Sequence, residues 1–252
     1  MRLSSLAAGV VLAVLGTGLA NAGSLTPTFQ TFDDLPRATF GGNGIPTDPT
    51  AFSTFTASNG DQLTLGISAT QRFSNPALGN DGAGTYTATP GLNDGTPGST
   101  AGALRATWNF NFFAELTGTG GSTLSDFNIQ LLYDLDPGAG TDIANLGILD
   151  FNTTPVLTAP GVFLGDLTLV QGSQNLVFGF LAGNPAVAGI TPPAFGPFDA
   201  NALGEYSFAL QSDLGDVSIN VNVVPLPATA WLLLSAFGGL GLLSRFRRRA
   251  FA

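Results

Sequence analysis

The stretch VSINVNV, from Val217 to Val223, alternates without a break: Val217, Ile219, Val221 and Val223 are apolar, while Ser218, Asn220 and Asn222 are polar. Side chains of an extended strand point to opposite faces in turn. This pattern therefore makes a strand with one buried face, and a helix of about 3.6-residue period cannot sort it. Upstream, Tyr206, Phe208 and Leu210 alternate with Ser207 and Ala209. The link between the two runs, Ser212 to Asp216, is short and carries Gly215, which predicts a β-hairpin. The same period appears in Leu104, Ala106, Trp108, Phe110 and Phe112 against Arg105, Thr107, Asn109 and Asn111, and again in Phe127, Ile129, Leu131 and Tyr133. Further strands are predicted over Gln62 to Ser68, Leu146 to Phe151, Phe163 to Val170 and Leu176 to Leu181.

Between these runs stand GGNG, GNDGAG, PGLNDGTPG, TGTGG and TPPAFGP, which mark turns or loops. The longest such stretch, Gly79 to Gly102, is expected to be a mobile surface loop. No part of the body sustains a helical repeat, and no self-similar period of about 20–50 residues suggests a solenoid. Short strands with Gly/Pro turns and no helices between them predict an all-β fold. The form expected is an antiparallel β-sandwich, jelly-roll-like, with a closed barrel as the alternative.

Cysteine, histidine and lysine are absent, and all eight basic residues are arginines. No Ser-His-Asp triad, Cys-His pair, Schiff-base lysine, zinc site or disulfide can be built from such a set. Between the two ends of the chain only Arg37, Arg72 and Arg105 face all 17 acidic residues. So acidic a surface repels phosphates and offers nucleic acid no footprint. It favours solubility outside the cell and attracts divalent cations.

Both ends of the chain read as addresses. Residues 1–22 carry Arg2, an apolar run from Leu6 to Leu19 and the small-residue triplet Ala20-Asn21-Ala22. These are the three regions of a secretory signal peptide, with Gly23 as the first mature residue. At the other end, Pro225 and Pro227 stop the last strand, because proline donates no ladder hydrogen bond. Ala228 to Ser244 is uncharged, and as a helix would be about 26 Å long, near the lower limit for crossing a bilayer. Arg245, Arg247, Arg248 and Arg249 follow and stay on the cytoplasmic side, which places the body on the other.

Val224-Pro225-Leu226-Pro227-Ala228, an apolar segment opening with Trp231, and the terminal arginines together resemble a PEP-CTERM sorting signal, in particular its VPLPA variant. Leu226 stands where the usual motif of that family has glutamate. The resemblance implies recognition and cleavage by an exosortase in the inner membrane. The protein would then pass to the cell surface or exopolysaccharide matrix of a Gram-negative bacterium. The alternative is an ordinary single-pass anchor. More loosely, YDLDPGAGTD, SQNLVFGFL and FDANALGEYSFAL are similar to segments of bodies that accompany such tails. The expected division is a signal peptide at 1–22, a sandwich body at 23–223 and a sorting segment at 224–252.

Candidate sites are few. Asp134, Asp136 and Asp142 surround a glycine turn, an arrangement that suits Ca²⁺, a cation taking six to eight oxygens. As an EF-hand loop the segment fails, with Ala139 at the sixth position and Asn145 at the twelfth. The expectation is an acidic turn that binds Ca²⁺ at best weakly. Asp33-Asp34 and the pair Asp213 and Asp216 read as turn residues. Two carboxylates suffice for glycoside hydrolysis, but Glu115 and Glu205 are far apart in sequence and sit in no motif. Trp108 falls on an apolar face, which leaves little for stacking on sugars, and the Asn152-Thr153-Thr154 sequon has no bearing in a bacterial chain. The function expected is that of an exported, non-enzymatic surface or matrix protein, structural or adhesive in exopolysaccharide or biofilm. The alternative is a Ca²⁺-assisted carbohydrate-binding module. No other cofactor is expected, and the partners are the exosortase, the export machinery and, in transit, the inner membrane through 228–244.

Overall fold

The computed structural model describes residues 25–72, 78–93, 104–138, 142–152, 162–166 and 168–225, with 162–166 described by backbone alone. The expected signal peptide and the expected sorting segment from Leu226 onward, with Pro227, Ala228 and the four terminal arginines, lie outside these residues.

The described strands are β1 (Thr31–Asp33), β2 (Thr50–Thr56), β3 (Gln62–Gln71), β4 (Gly79–Asn80), β5 (Thr85–Ala88), β6 (Leu92–Asn93), β7 (Arg105–Ala106) and β8 (Trp108–Thr117). After them come β9 (Gln130–Tyr133), β10 (Gly147–Asp150), β11 (Val162–Asp166), β12 (Leu169–Gln174), β13 (Ile190–Thr191), β14 (Gly204–Ser212) and β15 (Gly215–Val223). One sheet has the order β1-β2-β3-β8-β12-β11, the other β13-β10-β9-β14-β15-β5-β4, and β6 and β7 form a ribbon of their own. The chain is all-β, and two sheets around a shared core are consistent with a β-sandwich.

The alternations seen in the sequence build that core. Trp108, Phe110, Phe112, Ala114 and Leu116 of β8 are buried together with Tyr206, Phe208 and Leu210 of β14 and Val217, Ile219 and Val221 of β15. Phe110 stacks on Phe208 at 4.8 Å between ring centres, and Phe112 meets Phe151 at 5.0 Å. The predicted hairpin is present as β14 and β15, joined through Asp213 and Leu214 alone. Gly215 sits at φ 153°, and a Cβ there would drive into the Phe55 ring, so glycine is required for the close approach.

The outer faces of the sheets are covered as well. Leu35, Ala38 and Phe40, from the connection between β1 and β2, pack on Phe113 of β8. Gln171 Oε1 accepts from the backbone N–H groups of Thr39 (2.9 Å) and Phe40 (2.8 Å) and holds this connection down. On the second sheet, Leu25 packs against Leu132, Leu146 and Ala209. The chain start also bridges the two sheets. Thr28 exchanges backbone hydrogen bonds with Ser218 of β15 (3.2 and 2.8 Å), and Gln30 N–H donates to Phe52 of β2 at 3.2 Å. Residues 25–33 therefore cross from β15 of one sheet to the β1 edge of the other.

Several expectations are corrected. The sheets are not wholly antiparallel: β5 runs parallel to β15, from Thr85 beside Asn220 to Ala88 beside Val223. Parallel neighbours need a long crossover, and the chain between the two strands supplies one. The supposed loop from Gly79 contains β4, β5 and β6, and Tyr86 in it is fully buried with its hydroxyl donating to the Pro49 carbonyl at 2.8 Å. Phe163 to Val170 divides between the paired strands β11 and β12. Leu176 to Leu181 is not a strand but a bend leading into a 3-10 turn at Gly179–Ala182, where Leu181 alone is buried. Phe127 is buried from a 3-10 turn ahead of β9, and Leu104 is exposed.

Candidate functional site

The strands define two ends of the molecule. At one, the turn end, lies the hairpin link between β14 and β15. At the other, here called the exit end, β8 and β14 begin while β3, β12 and β15 finish. Aromatic and ionisable side chains gather at the exit end. Trp108, the first residue of β8, is 2 % exposed and lies against Tyr206 (5.7 Å), Phe208 (6.0 Å) and Phe198 (6.3 Å). It belongs to the core and offers no face for a sugar ring. The Tyr206 hydroxyl is buried with no hydrogen-bond partner among the described residues. Burial first, then the charges of Asp134, Asp199 and Asp136, push its pKa up, so it remains a neutral phenol.

Asn175, fully buried just after β12, locks this end together. Its Nδ2 donates to the carbonyls of Ala106 (3.1 Å) and Trp108 (2.9 Å) and to Asn109 Oδ1 (2.7 Å). Its Oδ1 accepts from the N–H groups of Ala106 (3.0 Å) and Val177 (3.2 Å). This bonding explains why the run from Leu176 leaves the sheet: the chain turns where the asparagine caps it.

Each member of the expected Ca²⁺ set caps its own turn. Asp134, buried at the end of β9, accepts from the Asp136 N–H (2.8 Å), and Asp136 from that of Gly138 (3.1 Å). Asp142 accepts from the Ala144 N–H (3.0 Å) and opens a 3-10 turn at Ile143–Asn145. Among the described residues no group of three acidic side chains is placed to hold a metal, so Asp134, Asp136 and Asp142 do not converge as ligands. Asp33 and Asp213 likewise serve local contacts, with the Asp34 N–H (2.8 Å) and with Asn128 Nδ2 (2.6 Å). Glu115 pairs with Arg37 at 2.6 Å near the turn end, whereas Glu205 stands at the exit end of the other sheet, its pKa raised by burial. The two glutamates form no pair.

The remaining described arginines lie at the exit end. The Arg72 N–H donates to Thr107 at 2.8 Å, and burial, then Arg105, lowers the pKa of its guanidinium. The Arg105 guanidinium carbon lies 5.0 Å over the Phe178 ring, which stacks on Phe180 at 5.6 Å. Nearby, Leu135, Ala182, Pro192, Pro193, Phe195 and Pro197 line a shallow pocket of about 300 Å³. Among the described residues no helix is long and apolar enough to cross a membrane.

Sequence reasoning passed over Asp61, which lies at the turn end beside a cleft of about 230 Å³. Its Oδ1 accepts from the Gly120 N–H (2.6 Å), and its Oδ2 from the Ser122 N–H (3.1 Å) and Asn59 Nδ2 (2.9 Å). The only available signal was an aspartate two residues after an asparagine at a glycine turn. The amides of Gly120 and Ser122 hold the Asp61 carboxyl below its ordinary pKa. The ionised form is therefore favoured by folding, a contribution complete above about pH 4 and lost as pH falls through the lowered value. Melting temperature followed across acidic pH will fall less steeply in Asp61→Asn than in the wild type. At neutral pH the variant will melt several degrees lower.

Comparison with protein-family models, curated proteins and solved structures finds no match for this chain.

Proposed function

We propose that this is an exported, non-enzymatic protein of the cell surface or extracellular matrix, structural or adhesive in exopolysaccharide or biofilm, and sorted by an exosortase acting on its C-terminal segment. The observation that carries this reading is where the last described strand ends relative to the motif. The β14/β15 ladder closes on Val223, Val224 N–H donates to the Ala88 carbonyl at 3.0 Å, and Pro225 brings no donor. Among the described residues the last ladder hydrogen bond thus falls on Val224, the first residue of the proposed motif, with the first of its prolines just beyond it. The carboxylates at the exit end, tied into turns, suit a scaffold.

Mass spectrometry of the surface form tests the reading. The wild-type protein is expected to lack the segment containing Trp231. The double variant Pro225→Ala/Pro227→Ala is expected to accumulate at full length in the inner membrane. Recovery of Trp231 on the mature surface form identifies a plain anchor and removes the sorting proposal.

A further inference from the structure

We infer that the exit end is a docking face for a phospholipid bilayer, held against it while the chain is tethered. The inference rests on the reading of 228–244 as a membrane segment and adds the orientation of the body. Its first support is where the chain leaves the fold. Leu25 O accepts from Asn220 Nδ2 at 3.0 Å and Thr26 O from Ser218 Oγ at 3.1 Å, so the first described residues lie along β15 with Leu25 toward the exit end. Val224 leaves from the same end, four residues beyond Asn220, or about 13 Å at the rise of a strand. Only Leu226 and Pro227 separate Pro225 from Ala228. A residue spans at most about 3.6 Å, so an inserted segment holds this end within about 11 Å of the bilayer surface.

The second support is independent of the first. Large apolar side chains exposed to solvent among the described residues are Leu92 (44 %), Leu104 (51 %), Ile143 (51 %), Phe195 (51 %) and Leu203 (50 %). Every one belongs to the exit end. Leu92 opens β6 and Leu104 precedes β7, both ahead of β8, and Ile143 lies between β9 and β10. Phe195 follows Ala194, whose N–H donates to the Asn145 carbonyl at 2.9 Å, and Leu203 precedes β14. The turn end instead presents Asn59, Ser122, Ser125, Asp126 and Asn128. Scattered apolar residues need no explanation, but confinement to the end nearest the tether does. Asp142 and Asp199 are exposed at the same end, so attachment is through apolar side chains and does not require anionic lipid.

Since the chain has no cysteine, single-cysteine variants can carry a fluorescent probe without interference. Full-length Leu104→Cys, Phe195→Cys, Ser125→Cys and Leu233→Cys, labelled and reconstituted into phosphatidylcholine vesicles, are read by nitroxide lipids. With nitroxide about 5–10 Å below the headgroups, probes at 104 and 195 are expected to lose about half or more of their emission. The probe at 125 is expected to lose almost none. Circular dichroism and the melting temperature establish that each variant is folded. Quenching at 233 with none at 104 and 195 overturns the docking face and leaves the tether standing. No quenching at 233 removes the tether, and this inference with it. Equal quenching at 104, 195 and 125 also overturns it, since the body then has no preferred end.

Discussion

Replacing Trp108 with alanine is expected to lower the unfolding free energy by about 3–5 kcal/mol, the range for deleting a large buried aromatic side chain. The residue begins the central strand of its sheet, is 2 % exposed and touches three aromatic rings of the facing layer. Its removal leaves a cavity bounded by Tyr206 and Phe208, on a strand too firmly paired to collapse into it, and by Phe198 from the connection ahead of β14. Urea denaturation followed by far-ultraviolet circular dichroism measures the change, because the variant keeps only Trp231 as a fluorescent reporter. A loss below about 1 kcal/mol, the scale of a surface substitution, would show that Trp108 is not packed as described and would reopen it as a ligand platform.

Asn175→Ala is expected to cost about 3 kcal/mol or more, although it removes little volume. The side chain is fully buried and satisfies the Ala106 N–H together with the carbonyls of Ala106 and Trp108. Truncation leaves these groups without that partner, and each buried polar group left unpaired costs about 1–3 kcal/mol. Asn175→Asp separates bonding from size: it keeps an acceptor for Ala106 N–H and loses the Nδ2 donor, facing two carbonyls with a second negative group. It should therefore be at least as destabilising as alanine. The same denaturation experiment reads both. An aspartate variant as stable as the wild type would rule out the donor role of Nδ2.

The β8, β14 and β15 strands were legible because each turns an apolar face to the shared core and a polar face away from it, which writes period two into the sequence. The same logic failed where a second layer covers the outer face. Asn111, Ser207 and Asn220 read as solvent-facing, yet all are buried, with Ser207 Oγ donating to Asn220 Oδ1 at 3.0 Å and Asn111 Nδ2 to Ser68 Oγ at 3.1 Å. Nothing in an alternating run reveals that another part of the chain lies over its polar side. Tyr86 was hidden for a different reason: β5 is short and flanked by glycines, and its burial comes from a strand more than a hundred residues away. The three aspartates were found, but the sequence could not show that backbone amides of their own turns would occupy them. Asp61 escaped because its partners, Gly120 and Ser122, are distant in sequence and are backbone groups, which leave no side-chain signature.

The pairing of Thr28 with Ser218 spans 190 residues and joins the first described segment to the last described strand. The sheet from β13 to β4 cannot be completed until β15 has arrived, and contacts of such sequence separation form slowly because the loop-closure entropy is met before any reward. During synthesis the emerging chain therefore lacks the strand that joins β14 to β5 until Gly215 to Val223 have been made. Completion of that sheet follows only once β15 is in place between its neighbours. Thus the order of assembly is written into the topology: the β1-to-β11 sheet draws only on residues up to Gln174, and the other sheet closes last, on β15.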